Sequence, residues 1–225
     1  MVEMPVVKCI IRGSSYPGAY VSATEKYSFA SSEIPGSTRE IIANALNVKP
    51  ITMQFSPSLI GIYCKANSNG IVLSNQMPEK AFAALKEQLK DINVGVLESN
   101  LNAVGNNILT NDKIAIVNPD YSQRSTSRIS DILGVEVIKS KIGGFKTVGS
   151  SNILTNKGLA INNRATDSEK EHLEGLVGFS SERTTANTGA LSIGLSVVCN
   201  SYGIAVGPET TGFELARIMQ AIDIS

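Results

Sequence analysis

The 225 residues carry 20 Lys and Arg against 20 Asp and Glu, with a pI near 6.6, which excludes a protein that works by neutralising phosphates over a broad surface. No apolar run approaches ~20 residues, so no membrane span is predicted, and the start Met1-Val2-Glu3-Met4-Pro5 has neither the basic segment nor the apolar stretch of an export signal. Three cysteines do not suggest a disulfide framework; a cytoplasmic chain without metal or cofactor is expected.

The first predicted element, Val6-Val7-Lys8-Cys9-Ile10-Ile11, is a strand with no helix in front of it. Then comes the first of five glycines, Gly18, Gly61, Gly105, Gly149 and Gly194, spaced 43, 44, 44 and 45 residues apart. Each opens one copy of a pattern: a short apolar run, an Asn- or Gly-bearing turn, a second apolar run, then a helix-like stretch. Nine residues past the anchors, glycine recurs as Gly70, Gly158 and Gly203, and positions eleven and twelve are apolar in every copy, from Phe29 and Ala30 to Ala205 and Val206. A repeat that consumes the whole chain dictates the architecture and leaves residues 1–225 as a single domain.

In the second copy Gly61 to Ala66 reads as a strand, Asn67-Ser68-Asn69-Gly70 as a turn, and Ile71-Val72-Leu73 as the returning strand. Pro78 then opens a helix over 79–90 with Phe82, Leu85 and Leu89 on one face, and Val94, Val96 and Leu97 restore the strand pattern. The third copy predicts a helix over 122–133 stopped by Gly134, and the fourth a helix over 166–177. In the fifth, Thr211 stands three residues before Glu214, the spacing of a capping box. Only Ile222-Asp223-Ile224-Ser225 follows, too little for a third strand. The amino-terminal strand therefore fills that place and closes five strand-strand-helix-strand units into a ring, which also removes unpaired edges. A WD-type propeller has a similar repeat length but four strands per blade and a Trp-Asp signature; this chain has no Trp.

The turn asparagines Asn67, Asn111, Asn156 and Asn200 read as structural, because Asn bonds to its own backbone in turns. Asn156 falls one place later than the others relative to its anchor, which predicts a bulge or shifted turn in the fourth unit.

Three stretches, Ala103 to Asp112, Thr147 to Ser150 with Leu154 to Gly158, and Gly207 to Leu215, resemble the archaeal and eukaryotic translation initiation factor 6 family, its archaeal branch most closely. The resemblance runs end to end. It implies a pentein fold, a fivefold pseudosymmetric α/β propeller with strands lining a central channel and helices outside. It implies no catalysis, but binding to the large ribosomal subunit at its intersubunit face, beside uL14-type and L24e-type proteins and the sarcin-ricin loop, so that the small subunit is kept away. A monomer is expected. The implied ribosome-binding positions are Asn106, Asn107, Ser150 and Ser151, just after their anchors, with Asn187, Thr188 and Gly189 before the fifth.

Two competitors follow from other residues. Pentein folds also host guanidino-modifying hydrolases that use a cysteine with histidine and carboxylates, which would make Cys199 the nucleophile. Its register counterparts are Ala23, Ala66, Thr110 and Leu154, a packing series, and the one histidine, His172, falls on a predicted outer helix. Lys139, Lys141 and Lys146, with Lys157 and Arg164 nearby in sequence, predict at most an auxiliary phosphate contact.

Overall fold

The computed structural model describes residues 6–223. Strand β1 (Val6–Lys8) precedes a first unit of α1 (Pro17–Tyr20), β2 (Val21–Ala23), β3 (Tyr27–Ser31), α2 (Gly36–Ala45) and β4 (Lys49–Met53). The same order recurs in α3 (Ile60–Tyr63), β5 (Cys64–Ala66), β6 (Gly70–Ser74), α4 (Glu79–Gln88) and β7 (Asn93–Leu97). It recurs again in α5 (Val104–Asn107), β8 (Ile108–Thr110), β9 (Ile114–Val117), α6 (Gln123–Leu133) and β10 (Glu136–Lys139), and in α7 (Val148–Ser151), β11 (Ile153–Leu154), β12 (Leu159–Asn162), α8 (Asp167–Val177) and β13 (Ser181–Thr184). The fifth unit, α9 (Ile193–Ser196), β14 (Val197–Cys199), β15 (Ile204–Val206) and α10 (Gly212–Ala221), has no third strand of its own among the described residues. β1 supplies it, parallel to β15 with Val6 opposite Ile204 and Lys8 opposite Val206. The described residues thus form five three-stranded sheets in a mixed α/β architecture with fivefold pseudosymmetry. Of the short carboxyl-terminal stretch, Ile224 and Ser225 lie outside the described residues.

The glycine anchors differ from expectation. They do not begin strands; all five lie inside the one-turn helices α1, α3, α5, α7 and α9. Proximity is the reason. A Cβ on Gly61 would lie 2.0 Å from the carbonyl oxygen of Gly18, one on Gly105 1.8 Å from that of Gly61, and one on Gly149 2.2 Å from that of Gly105. Gly194 stands likewise against Gly149, and Gly18 against Gly194, each at 2.2 Å. Backbone meets backbone with no room for a side chain, and the five contacts close on themselves. The second glycine landmark has a parallel cause, since a Cβ on Gly70 would lie 1.9 Å from Ile132 O at the end of α6, and one on Gly158 2.0 Å from Ala221 O at the end of α10.

The apolar core is divided among the joints between units. Phe29 and Ile51 pack with Ile71, Leu73 and Leu85 across the first joint; Val72 and Leu97 pack with Ile108, Val117 and Ile129 across the second. Leu109 and Ile116 meet Leu159 and Leu173, and Ile153 and Ala160 meet Val197, Ile204 and Ile218. Val198 and Ala205 close the circle on Val21, Ala30 and Ile42, with Val7 of β1 against them. Each middle strand therefore serves two joints. On β6, Ile71 and Leu73 face one and Val72 the other, because successive strand side chains point to opposite faces. A strand covered on both faces reads as a continuous apolar run, which is why positions eleven and twelve past every anchor are apolar.

The outer helices keep close to their predicted limits. Ser122 caps α6 by accepting from Ser125 N, and Gly134 ends it at φ 64° in the left-handed region. Thr211 with Glu214 forms the predicted capping box, and Thr166 with Glu169 forms another. α4 stops at Gln88, two residues short of the predicted end.

Candidate functional site

The second and third strands of each unit are parallel, and the first is antiparallel to both partners' direction, being joined to the second by a hairpin. The hairpin turns therefore gather at one end of the molecule. At the other end gather the loops that leave each third strand and the one-turn helices that follow them.

The loop end is built from tight turns. Ile11 bridges Ser14 across Arg12 and Gly13, and Ile142 bridges Phe145 across Gly143 and Gly144, all four turn residues at positive φ. Ala186 bridges Ala190 across Asn187, Thr188 and Gly189, at φ 46°, 61° and 99°. Two non-glycine residues in the left-handed region need support, and Glu214 supplies it. Its buried carboxylate accepts from Thr185 Oγ1 at 2.7 Å, from the amides of Thr188 at 3.2 Å and Gly189 at 2.8 Å, and from the amide and hydroxyl of Thr211, both at 2.9 Å. Burial alone would push this carboxyl up, but the donors from Thr185, Thr211 and Gly189 outweigh it and hold the pKa at about 2. The capping-box spacing announced Glu214 as a helix cap. Its hold on a loop more than twenty residues upstream has no sequence signal.

The predicted binding residues divide by environment. Asn106 is half-buried on α5, and its Oδ1 has no hydrogen-bond partner among the described residues. Asn107 is buried, donating to Ala103 O at 2.9 Å and accepting from Asn118 Nδ2 at 2.7 Å. The buried Ser150 and Ser151 hydroxyls both donate to Thr147 O, at 2.9 and 3.1 Å. Asn187 is buried, donating to Ser15 O across the joint to the first unit and accepting from Thr210 Oγ1. Thr188 and Gly189 are exposed. The structure brings all seven to one end of the molecule, where Asn106, Thr188 and Gly189 reach solvent.

At the hairpin end the position six past each anchor organises the turn. Asn67 Oδ1 accepts from the amides of Asn69 and Gly70 while its Nδ2 donates to Asn111 O and Leu133 O in the next unit. Asn111 and Asn200 do the same within their own turns and reach Thr155 O and Thr24 O in the units that follow. In the fourth unit Thr155 takes this position, its Oγ1 accepting from Lys157 N and Gly158 N. The expected bulge is therefore absent: Asn156 is not a displaced turn asparagine but a member of the next ring. In that ring Ser68 and Asn156 donate to Asp112, and Asn156 and Ser201 donate to Glu25.

Neither competitor gains from the geometry. The thiol of Cys199 is pushed up to about 12 by burial, and His172 is exposed on α8, an outer helix. Lys139 is tied to Tyr121 O and Lys146 to Asp120 at 2.7 Å. Lys157 occupies a hairpin turn, at the opposite end from Lys141 and Lys146, so the predicted basic cluster is split. Among the described residues no group of three or more His, Cys, Asp or Glu side chains could hold a metal, and no helix is long and apolar enough to cross a membrane.

Comparison with known proteins accounts for nearly the whole chain. The model of the eIF-6 family matches residues 6–221. Translation initiation factor 6 of Saccharolobus islandicus is 35% identical over 221 residues, covering 97% of this chain and 99% of that protein. The factor of Thermoplasma acidophilum is 36% identical over 215 residues (94% and 96%), and that of Methanosarcina acetivorans 35% over 213 residues (94% and 95%). With a family match that runs from the strand completing the fifth unit to its outer helix, and archaeal relatives aligned over 94–97% of its length, this chain belongs to the eIF-6 family.

Proposed function

We propose that the chain is a translation initiation factor that binds the large ribosomal subunit at its intersubunit face and keeps the small subunit away by occupying that surface. The observation that carries this reading is the end-to-end relation to archaeal proteins named translation initiation factor 6. The five sheets act as one closed pentein-type propeller spanning the whole chain, a rigid block that works as a monomer in the cytoplasm and performs no chemistry on its partner. The loop end is the binding face. There Asn106 is half-buried with its side-chain oxygen covered and unpartnered, Thr188 and Gly189 are held in a fixed, solvent-facing turn, and Ile10 and Phe213 are 59% and 75% exposed. Exposed apolar side chains on a rim of fixed shape are what an interface anchor requires. The receiving surface is formed by uL14-type and L24e-type proteins near the sarcin-ricin loop. Asn107, Ser150, Ser151 and Asn187 contribute to binding by holding the rim in shape.

The test is sedimentation with purified ribosomal subunits. The protein should travel with large subunits and not with small ones, and it should reduce subunit joining at low magnesium. Failure to co-sediment with large subunits from its own source overturns the reading. The protonated Cys199 thiol, half-buried in the channel wall, favours this role over a guanidino-modifying hydrolase; turnover of arginine or agmatine that disappears in Cys199→Ser would reverse that preference.

A further inference from the structure

The central channel is lined by the five anchor glycines and the first strands of the units, and it encloses a cavity of about 70 Å³, several times what one water needs. One charged side chain, Lys65 on β5, faces it. The same register position holds Ser22, Leu109, Ile153 and Val198 in the other units, and the last three are buried apolar members of joint clusters. Packing at this position does not call for a charge. Among the described residues no carboxylate lies within ion-pair distance of Lys65, and its half-buried side chain lines the lumen.

Nothing else in the channel neutralises it. Burial pulls the Lys65 pKa below the ordinary lysine range, and the neighbouring Cys64 and Cys199 thiols are each pushed up to about 12 by burial, so at neutral pH both are protonated and uncharged. Glu25, at the hairpin mouth, is engaged by the amide and hydroxyl of Ser201 and by Asn156 Nδ2. The carbonyl oxygens of the anchor glycines lie each against the next glycine of the ring. An enclosed, unpaired charge is costly, and a counter-ion offsets the cost.

We propose that the central channel is a binding site for one small inorganic anion, held by Lys65 Nζ. Phosphate, sulfate and halide share the chemistry, and titration with each separates them. Isothermal titration of wild type should give saturable binding of one anion per chain with Kd below about 10 mM for at least one of the three. Diffraction from crystals soaked in bromide should place an anomalous peak against Lys65 Nζ. Lys65→Met should weaken binding by about tenfold or more, and Lys65→Arg should retain it. The Met variant is expected to fold, because Leu109 and Ile153 hold that register elsewhere, and a thermal melt checks it; should it not fold, the wild-type bromide map decides alone. No saturable binding to wild type, undiminished binding to folded Lys65→Met, or bromide located away from Lys65 would overturn the proposal.

Discussion

Glu214 is a residue whose surroundings set a pH dependence. Its pKa is about 2 in the folded chain against an ordinary 4.5, so the unfolded chain takes up the proton first as pH falls. Its contribution is complete above about 4.5 and is lost between there and about 2. Glu214→Gln keeps the shape but removes the charge that draws in five donors. It should cost about 1.5–3 kcal/mol at neutral pH, and it should flatten the acid limb of a plot of unfolding free energy against pH. An unchanged acid limb would mean that other carboxylates carry it. Asn106 is the opposite kind of residue, with a polar atom that no neighbour uses. Asn106→Ala should leave the melting temperature within a degree or two and weaken co-sedimentation with large subunits by about tenfold, whereas Ser151→Ala, which removes the hydrogen bonds to Thr147 O and from Asn152 Nδ2, should cost about 1–2 kcal/mol of stability and weaken binding less.

The one-turn helix is the element that the sequence did not disclose. Four residues with a glycine among apolar neighbours, such as Ile60-Gly61-Ile62-Tyr63, have the composition of a strand, and what turns them into a helical turn is contact with the equivalent turn of the unit before. Gly105→Ala should therefore destabilise by more than about 3 kcal/mol, since the new methyl carbon would lie 1.8 Å from the Gly61 oxygen. Gly175 in α8 is exposed with open space around it, so Gly175→Ala should stabilise by about 0.5–1 kcal/mol. Chemical unfolding of both variants separates a glycine needed for space from one that merely weakens a helix. The same division explains what was legible. Middle strands, outer helices and caps follow from periodicity and spacing within about 44 residues of chain, and the place of β1 from the strand missing after the fifth helix. The glycine rim, the Glu214 loop clamp and the Lys65 lumen depend on which residues the ring brings together from distant units. Of the rim positions, the motif near Gly105 pointed to Asn106, but nothing local told the exposed Thr188 from the buried Asn187 beside it.

At the scale of the whole molecule, stability belongs to the joints. No unit encloses a core of its own, and each of the five clusters draws on two units. Such an array differs from an open solenoid, whose repeats unfold from the ends: a closed ring has no terminal repeat, so loss of one joint exposes the faces of two. Thermal unfolding should thus be a single transition with calorimetric and van't Hoff enthalpies equal. The position of β1 sharpens this. In the other four units two to four residues, 46–48, 89–92, 134–135 and 178–180, connect the outer helix to the third strand, and α10 and β1 stand in that same relation without a connection. A short linker from Asp223 to Val6, with new ends opened in the hairpin at Lys113, should give a circular permutant that folds, melts in one transition and keeps its affinity for large subunits. Removing residues 6–8 without permutation withdraws the third strand of the fifth sheet and the Val7 contact of the closing joint, and should lower the midpoint sharply or leave the chain unfolded. Two separate transitions in the permutant, or a truncated chain as stable as the intact one, would show that closure contributes little and that stability resides within the units.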